Sequence, residues 1–302
     1  MQTAPENEIG PKPVIEYVFD NRNEPAEKRY RELSQLYDSQ TIRHIEQRGI
    51  EEGWSCLEVG GGGGSIAAWL CTRVGPNGRV LATEIEPRFL EALAFPNLEV
   101  RCHDIRYQGL PERQFDLAHA RLVLMHLPGR ELALQRMVAS LNPAGWIVVE
   151  EFDNLSVFPN SNVNPGEEEL KVIRAGMQVL MARGVELRYG RWLPQQLRRL
   201  GLRNVGAEAS ASVWQGDSPG TRLYKLAFEE LADSILRSGL ISEAEFEKDM
   251  RRLDELDFRM PSPMMWTAWG QAPEAVSTPI AEALAFEHRL PSAVDAADAI
   301  GG

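Results

Sequence analysis

Five consecutive glycines separate one apolar run from the next: Cys56-Leu57-Glu58-Val59 leads into Gly60-Gly61-Gly62-Gly63-Gly64, and Ser65-Ile66-Ala67-Ala68-Trp69-Leu70 resumes with helical character. Few backbone paths use such a run. Glycine is required where φ turns positive, or where a ligand must approach with no Cβ in the way. The helix that starts beyond the loop also offers N–H groups without an intrahelical partner. A strand, a tight loop and a helix start are predicted, with a polar ligand above the loop.

Register narrows the ligand. A dinucleotide loop reads Gly-x-Gly-x-x-Gly or Ala. Counted from Gly60 the last position is Ser65, and counted from Gly61 it is Ile66, so that pattern is met loosely. No Gly-Lys-Ser or Gly-Lys-Thr occurs, which excludes a phosphate-binding P-loop. The register that fits is acidic-x-Gly-x-Gly-x-Gly, read at Glu58, Gly60, Gly62 and Gly64. A carboxylate at the strand end suits a cationic ligand and repels a pyrophosphate. In this register the stretch resembles the first motif of the class I S-adenosyl-L-methionine (SAM) dependent methyltransferases, whose glycine loop passes beneath the cofactor's amino-acid part and ribose. The resemblance implies a SAM cofactor and a Rossmann-like, doubly wound α/β fold: a mostly parallel sheet with an antiparallel edge hairpin and added helices.

Gly75-Pro76-Asn77-Gly78 is a turn signal, and Arg79 to Glu84 is a second strand ending in an acid. Glu84 follows Gly64 by 20 positions, near the offset of about 20 at which an acid reaches ribose hydroxyls in nucleotide-binding βαβ units. Spacing alone leaves Glu86 as a competitor. Thr83-Glu84-Ile85-Glu86-Pro87 resembles the second motif of the family, which favours Glu84 and places Ile85 beside it. Pro87 opens a helix, where its missing N–H costs nothing, and Asn97 to Cys102 reads as a third strand. His103-Asp104-Ile105 then resembles the family's adenine clamp, with Asp104 accepting from the exocyclic amine and Ile105 against the ring; without the resemblance Asp104 reads as a turn residue.

Gln114 to Ala120 is a fourth strand, and it runs into Arg121-Leu122-Val123-Leu124-Met125-His126 at the edge where open parallel sheets bind ligands. Arg121 is a candidate for the cofactor's carboxylate or else a surface charge. His126 is a candidate for facing the acceptor or else a structural residue. Glu131 to Leu141 reads as a helix, Asn142 to Gly145 as a turn, and Trp146 to Glu150 as a fifth strand running into Glu151-Phe152-Asp153; the turn and strand also resemble the family. His126, Glu150, Glu151 and Asp153 are the candidate catalytic bases, and the three acids read equally as solvated strand-end charges. Before the first strand, Glu24 to Gly49 is a helix. The resemblance makes residues 1–50 a helical lid, with Tyr17, Tyr30 and Tyr37 as possible substrate contacts, although such residues also serve as packing.

Strand–helix alternation over Trp54 to Asp153 argues independently for a parallel sheet covered on both faces. The expected organisation is the lid at 1–50, a SAM-binding core at 51–153, helical insertions around the acceptor pocket at 154–271 and a tail at 272–302. Within the insertions, helices are predicted over Gly166 to Arg183, Arg191 to Leu200, Thr221 to Arg237 and Ser242 to Leu256. Strands are predicted over Val205 to Trp214 and Met264 to Trp269. Trp192, Trp214, Phe228 and Phe246 wall an apolar pocket or fill the core.

Charge and composition bound the partners. A net charge of −12 over 302 residues opposes nonspecific binding to nucleic acid or anionic membranes. No apolar run approaches the roughly 18 residues that span a bilayer, and Met1 to Pro13 has no apolar signal-like core. Cys56, Cys71 and Cys102 lie in apolar contexts without metal spacing, consistent with a reducing cytoplasm. No zinc spacing or carboxylate-rich metal loop is present, and nothing resembles the Asn/Asp-Pro-Pro-Tyr motif of adenine-specific DNA methyltransferases. The expectation is methyl transfer to oxygen or nitrogen, before carbon, of a small-molecule acceptor. Two alternatives remain open: a SAM-binding protein that transfers no methyl group, and a nicotinamide oxidoreductase, against which Glu58 and Ser65 count.

Overall fold

The apolar runs of the middle of the chain assemble side by side. The computed structural model describes Phe19, residues 24–157 and residues 170–274. Helix α1 (Glu24–Glu46) precedes β1 (Ser55–Val59), α2 (Ser65–Val74), β2 (Arg79–Glu84), the single turn α3 (Arg88–Glu91), β3 (Leu98–Cys102), β4 (Phe115–Arg121), α4 (Arg130–Ala139) and β5 (Leu141–Asp153). After these come α5 (Lys171–Ala182), α6 (Tyr189–Arg199), β6 (Arg203–Ser210), β7 (Val213–Gln215), α7 (Pro219–Glu230), α8 (Ala232–Arg237), α9 (Glu243–Arg252), β8 (Arg259–Pro261) and β9 (Met264–Gln271).

The main sheet has the order β3-β2-β1-β4-β5-β9-β6. Strands β1 to β5 pair in parallel, and β9 enters antiparallel between β5 and β6. The order reverses between β1 and β4, which opens a crevice beyond the carboxyl ends of these strands, the position where open α/β sheets bind ligands. Central strands are buried along nearly their whole length, as a sheet covered on both faces requires. Successive side chains alternate faces. Cys56, Val80, Leu117 and Val148 pack with Ile45 of α1 and Ile66 and Leu70 of α2, whereas Leu57, Ala118 and Val149 join the larger core of α4, α5 and α6.

The second half departs from the sequence reading. Val205 to Trp214 is two strands, because β7 leaves the main sheet to pair with β8, a strand with no sequence signal. Trp214 lies there against Gly220, where any Cβ would fall 2.0 Å from the indole. The helix expected over Thr221 to Arg237 breaks at Leu231 into α7 and α8, letting Ile235 turn into the core. The turn at Asn142 to Gly145 is the irregular start of β5, with Ala144 at φ +63°. Glu151 to Asp153 belong to β5 itself, paired with β9, so these acids are buried rather than solvated. Cys102 is exposed, since β3 is an edge strand. Residues 158–169, part of the expected loop and helix, lie outside the described residues. Among those described, no helix is long and apolar enough to cross a membrane.

Helix α1 packs along α7 through two ion pairs of opposite polarity. Arg29 of α1 meets Glu230 at 2.5 Å, and Glu32 of α1 meets Arg222 at 3.0 Å. Arg29 and Glu32 are themselves buried, so the pairing compensates charge removed from water. A double-mutant cycle of Glu32→Gln and Arg222→Gln in urea unfolding is expected to return a coupling of about 0.5–3 kcal/mol; additive losses would mean that the pair does not hold the two helices together.

Candidate active site

Strand β1 ends at Val59, and the glycine loop turns there. Gly60, Gly62 and Gly64 have φ of +68°, +50° and +83°, so the three glycines of the acidic-x-Gly-x-Gly-x-Gly register are the three that take the left-handed conformation. The Gly60 and Gly61 N–H groups both donate to the Thr83 carbonyl, at 2.8 and 3.1 Å, drawing the loop against β2. Gly60 is also a close approach: a Cβ there would lie 2.3 Å from Cγ2 of Val123. Tyr30 of α1 lies over Gly62 and Gly63, 2.8 Å from where their Cβ atoms would be.

Glu84 closes the next strand end. Its Oε2 accepts from Gly62 N–H at 3.1 Å and its Oε1 from Ile85 N–H at 2.8 Å. Burial raises its pKa, and the backbone N–H groups oppose that shift. Each oxygen retains a lone pair for a ligand hydroxyl. Glu84 lines the large cavity over the crevice, as do Ile85, Asp104 and Ile105, and Glu86 does not. The Asp104 carboxylate is met by the Arg106 guanidinium at 2.7–3.1 Å and by its backbone N–H at 2.9 Å. Burial works to raise the Asp104 pKa, but these donors outweigh it and lower it.

Beneath the crevice a row of polar side chains crosses the sheet on the α1 face. The buried His119 of β4 donates through Nδ1 to Glu58 Oε2 at 2.6 Å and through Nε2 to Glu150 Oε2 at 3.4 Å. Glu150 is further bonded by Thr267 of β9 at 2.7 Å and by Thr41 of α1. Burial opposes charge on the imidazole, yet the two carboxylates hold its pKa up at about 9. Glu150 is likewise opposed by burial but held at about 2, by His119 first and then by Arg121 and Thr41. Glu58 lines the cavity with its charge met by His119. Arg121 also lines the cavity, and the carboxylate that it meets is Asp38 of α1 at 2.8 Å, with Thr41 Oγ1 at 2.8 Å.

After β4 the backbone is constrained. Leu122 takes φ +56°, an uncommon conformation for a branched side chain, and its N–H donates to the Glu150 carbonyl at 2.8 Å. Glu151 points to the opposite face from Glu150 and accepts from Val123 N–H at 3.1 Å and Leu124 N–H at 2.6 Å. Burial pushes the Glu151 carboxyl up to about 8 despite these bonds. The arrangement places Val123, Met125, His126 and Leu127 in the cavity wall. His126 is held neutral, its pKa lowered to about 4 by burial first and then by Arg29 and Arg130.

The site residues expected from the sequence therefore divide. Glu58, Gly60, Gly62, Glu84, Ile85, Asp104, Ile105, Arg121, His126 and Tyr30 share one cavity, and Gly64 caps α2 behind it. Glu150, Glu151 and Asp153 are outside its wall; Asp153 is bonded to Arg191 at 2.5 Å. Tyr37 is core, edge-on to Phe152 with centroids 5.7 Å apart, and Tyr17 is outside the described residues. Of the four expected pocket aromatics only Phe228 lines the cavity. Met177 and Leu180 of α5 and Leu223 and Tyr224 of α7 complete that wall. Their spacing reads as ordinary helix core, so the sequence carried no signal for them.

Residues 57–149 match the family described as "Methyltransferase domain". Over these residues the chain is similar to a methyltransferase domain. Its fold is that of the class I SAM-dependent methyltransferases, and SAM is the cofactor of that family. The chain is 33% identical over 118 residues to Methyltransferase str3 of Strobilurus tenacellus, covering 36% of this chain and 39% of that protein. It is 28% identical over 116 residues to the ubiquinone/menaquinone biosynthesis C-methyltransferase UbiE of Pseudomonas putida, covering 36% and 45%. The chain thus spans about two-fifths of the length of the curated relatives it matches. In fold it is similar to the YcgJ protein of Bacillus subtilis, with a TM-score of 0.51 at 11% identity over 79% of this chain and 100% of that one. The strand ends of this region fit SAM: Glu84 has lone pairs for a diol, Asp104 can accept from an amine, and the glycine loop carries no Cβ of its own.

Two outcomes test this geometry. Gly60→Ala is expected to lose about 1–3 kcal/mol in urea unfolding from strain and crowding, whereas Gly109→Ala, with open space at its Cβ, stays within about 0.5 kcal/mol of wild type. His119→Gln leaves two carboxylates facing each other and is expected to cost about 3–5 kcal/mol. The raised imidazole pKa makes the stabilisation complete below its ordinary 6.5 and lost as pH rises through about 9. The stability gap between wild type and His119→Gln should therefore narrow from pH 6.5 to 9, and a pH-independent gap would show that the imidazole carries no charge.

Proposed function

We propose that this chain binds SAM at the carboxyl ends of β1, β2 and β3 and transfers its methyl group to an oxygen or nitrogen of a small-molecule acceptor. The observation that carries the reading is a single cavity. The glycine loop, Glu84 and Asp104 form part of its wall; the loop after β4, α5 and α7 form the rest. A cofactor and a second ligand can therefore meet without crossing solvent.

When bound, SAM supplies an electrophilic sulfonium methyl: the acceptor's lone pair forms the new bond, sulfur keeps the old bonding pair as S-adenosylhomocysteine, and the acceptor's proton leaves. The chain's own part is placement and exclusion of water. Glu84 accepts the ribose hydroxyls, Asp104 and Ile105 hold the base, and Tyr30 covers the loop. Arg121 fastens α1 over the crevice through Asp38 and Thr41. The neutral imidazole of His126 is in the wall beside the loop after β4 and is suited to accept a hydrogen bond or a proton from a hydroxyl.

Calorimetry on the full chain tests this. SAM and S-adenosylhomocysteine should bind, Glu84→Ala should weaken both by about tenfold or more, and NADH should not bind. Transfer of label from methyl-labelled SAM to a small-molecule acceptor then separates an enzyme from a protein that only binds the cofactor. Absence of binding to either sulfur compound would overturn the reading.

A further inference from the structure

The acceptor end of the cavity has a chemistry of its own. Helix α5 contributes Met177 and Leu180, and α7 contributes Leu223, Ala227 and Phe228, with Leu231 just beyond. The polar side chain among them is Tyr224, whose hydroxyl donates to Asn154 Oδ1 at 3.3 Å. The charge that α1 brings to this cavity, Arg29, is matched by Glu230 at 2.5 Å.

Carboxylates that could meet a cationic acceptor are engaged elsewhere. Glu150 is bonded to His119, Thr41 and Thr267, Asp153 to Arg191, and Glu151 to the backbone behind the β4 loop. None of the three lines the cavity. Among the described residues, α5 and α7 place no charged side chain in the wall, so an ammonium or phosphate there would lose its hydration without a counter-charge. An apolar ring would gain by the same burial.

We propose that the acceptor is an uncharged, largely apolar ring compound held between α5 and α7 with its reacting group toward His126, an inference that rests on the methyl-transfer reading above. Polarity is then read at one point, beside the imidazole, and the remainder of the acceptor is selected by shape and burial.

The test is a titration of the full chain with the neutral dye N-phenyl-1-naphthylamine, with and without saturating S-adenosylhomocysteine, followed by competition. Saturable fluorescence is expected. Displacement is expected by 2-naphthol, but not by ethanolamine or phosphoethanolamine at about tenfold higher concentration. Ala227→Trp, which fills the space beside α5, and Met177→Lys, which puts a charge in the wall, should each weaken dye binding about tenfold or more while S-adenosylhomocysteine still binds, the sign that the variant is folded. Displacement by the charged compounds, absence of dye binding, or dye binding unaffected in both folded variants would overturn the proposal. If a variant fails to fold, the wild-type competition alone decides. Loss of S-adenosylhomocysteine binding by the wild type would instead sink the methyl-transfer reading, and the cofactor-free titration keeps the two failures apart.

Discussion

An imidazolium held between two carboxylates at the centre of the sheet is the interaction on which the site depends. His119 bridges Glu58 of β1 and Glu150 of β5, and Glu150 reaches on to Thr267 of β9 and Thr41 of α1. A buried ion costs several kcal/mol in desolvation unless its partners are well placed, so the row holds each of these strands in one register. Its position gives that register a functional consequence. Glu58 stands two residues before the glycine loop and Arg121 two residues after His119, so the same row sets where the loop begins and where α1 is fastened.

The wall formed by the loop after β4 depends on a second buried acid. Neighbouring residues of one strand point to opposite faces, which is why Glu150 joins the ionic row while Glu151 turns under the loop that follows β4. There its carboxyl satisfies the N–H groups of Val123 and Leu124, which the positive φ of Leu122 leaves turned inward. The strained residue and the buried acid together put His126 into the wall. Strain of this kind persists where surrounding contacts over-determine it, and here it shapes the wall of the cavity.

Helix α1 joins the two ends of the cavity. Tyr30 rests on the glycine loop, Arg29 and Glu32 clasp α7, and Asp38 and Thr41 take Arg121. A single helix thus touches the glycine loop, α7 and the ionic row.

The sequence by itself determined the strand ends. A glycine needing positive φ, an acid at a fixed offset and an apolar run that must be buried are local demands, legible one segment at a time; Gly60, Gly62 and Glu84 are therefore found at the strand ends where their spacing put them, Asp104 where the family resemblance put it, and the parallel sheet follows from strand–helix alternation. What each charged side chain faces was decided only by the tertiary structure. Glu58 and His119 are 61 positions apart, and Arg121 and Asp38 are 83 apart; no periodicity encodes such pairs. The fate of Glu150, Glu151 and Asp153 could not be read because the antiparallel β9 that buries them arrives more than a hundred residues later. The far wall of the cavity was hidden for a related reason: Met177, Leu180, Leu223 and Phe228 have the pattern of any helix core, and whether such a face meets another helix or an open cavity depends on how far apart the folded chain holds α5, α7 and the loop after β4.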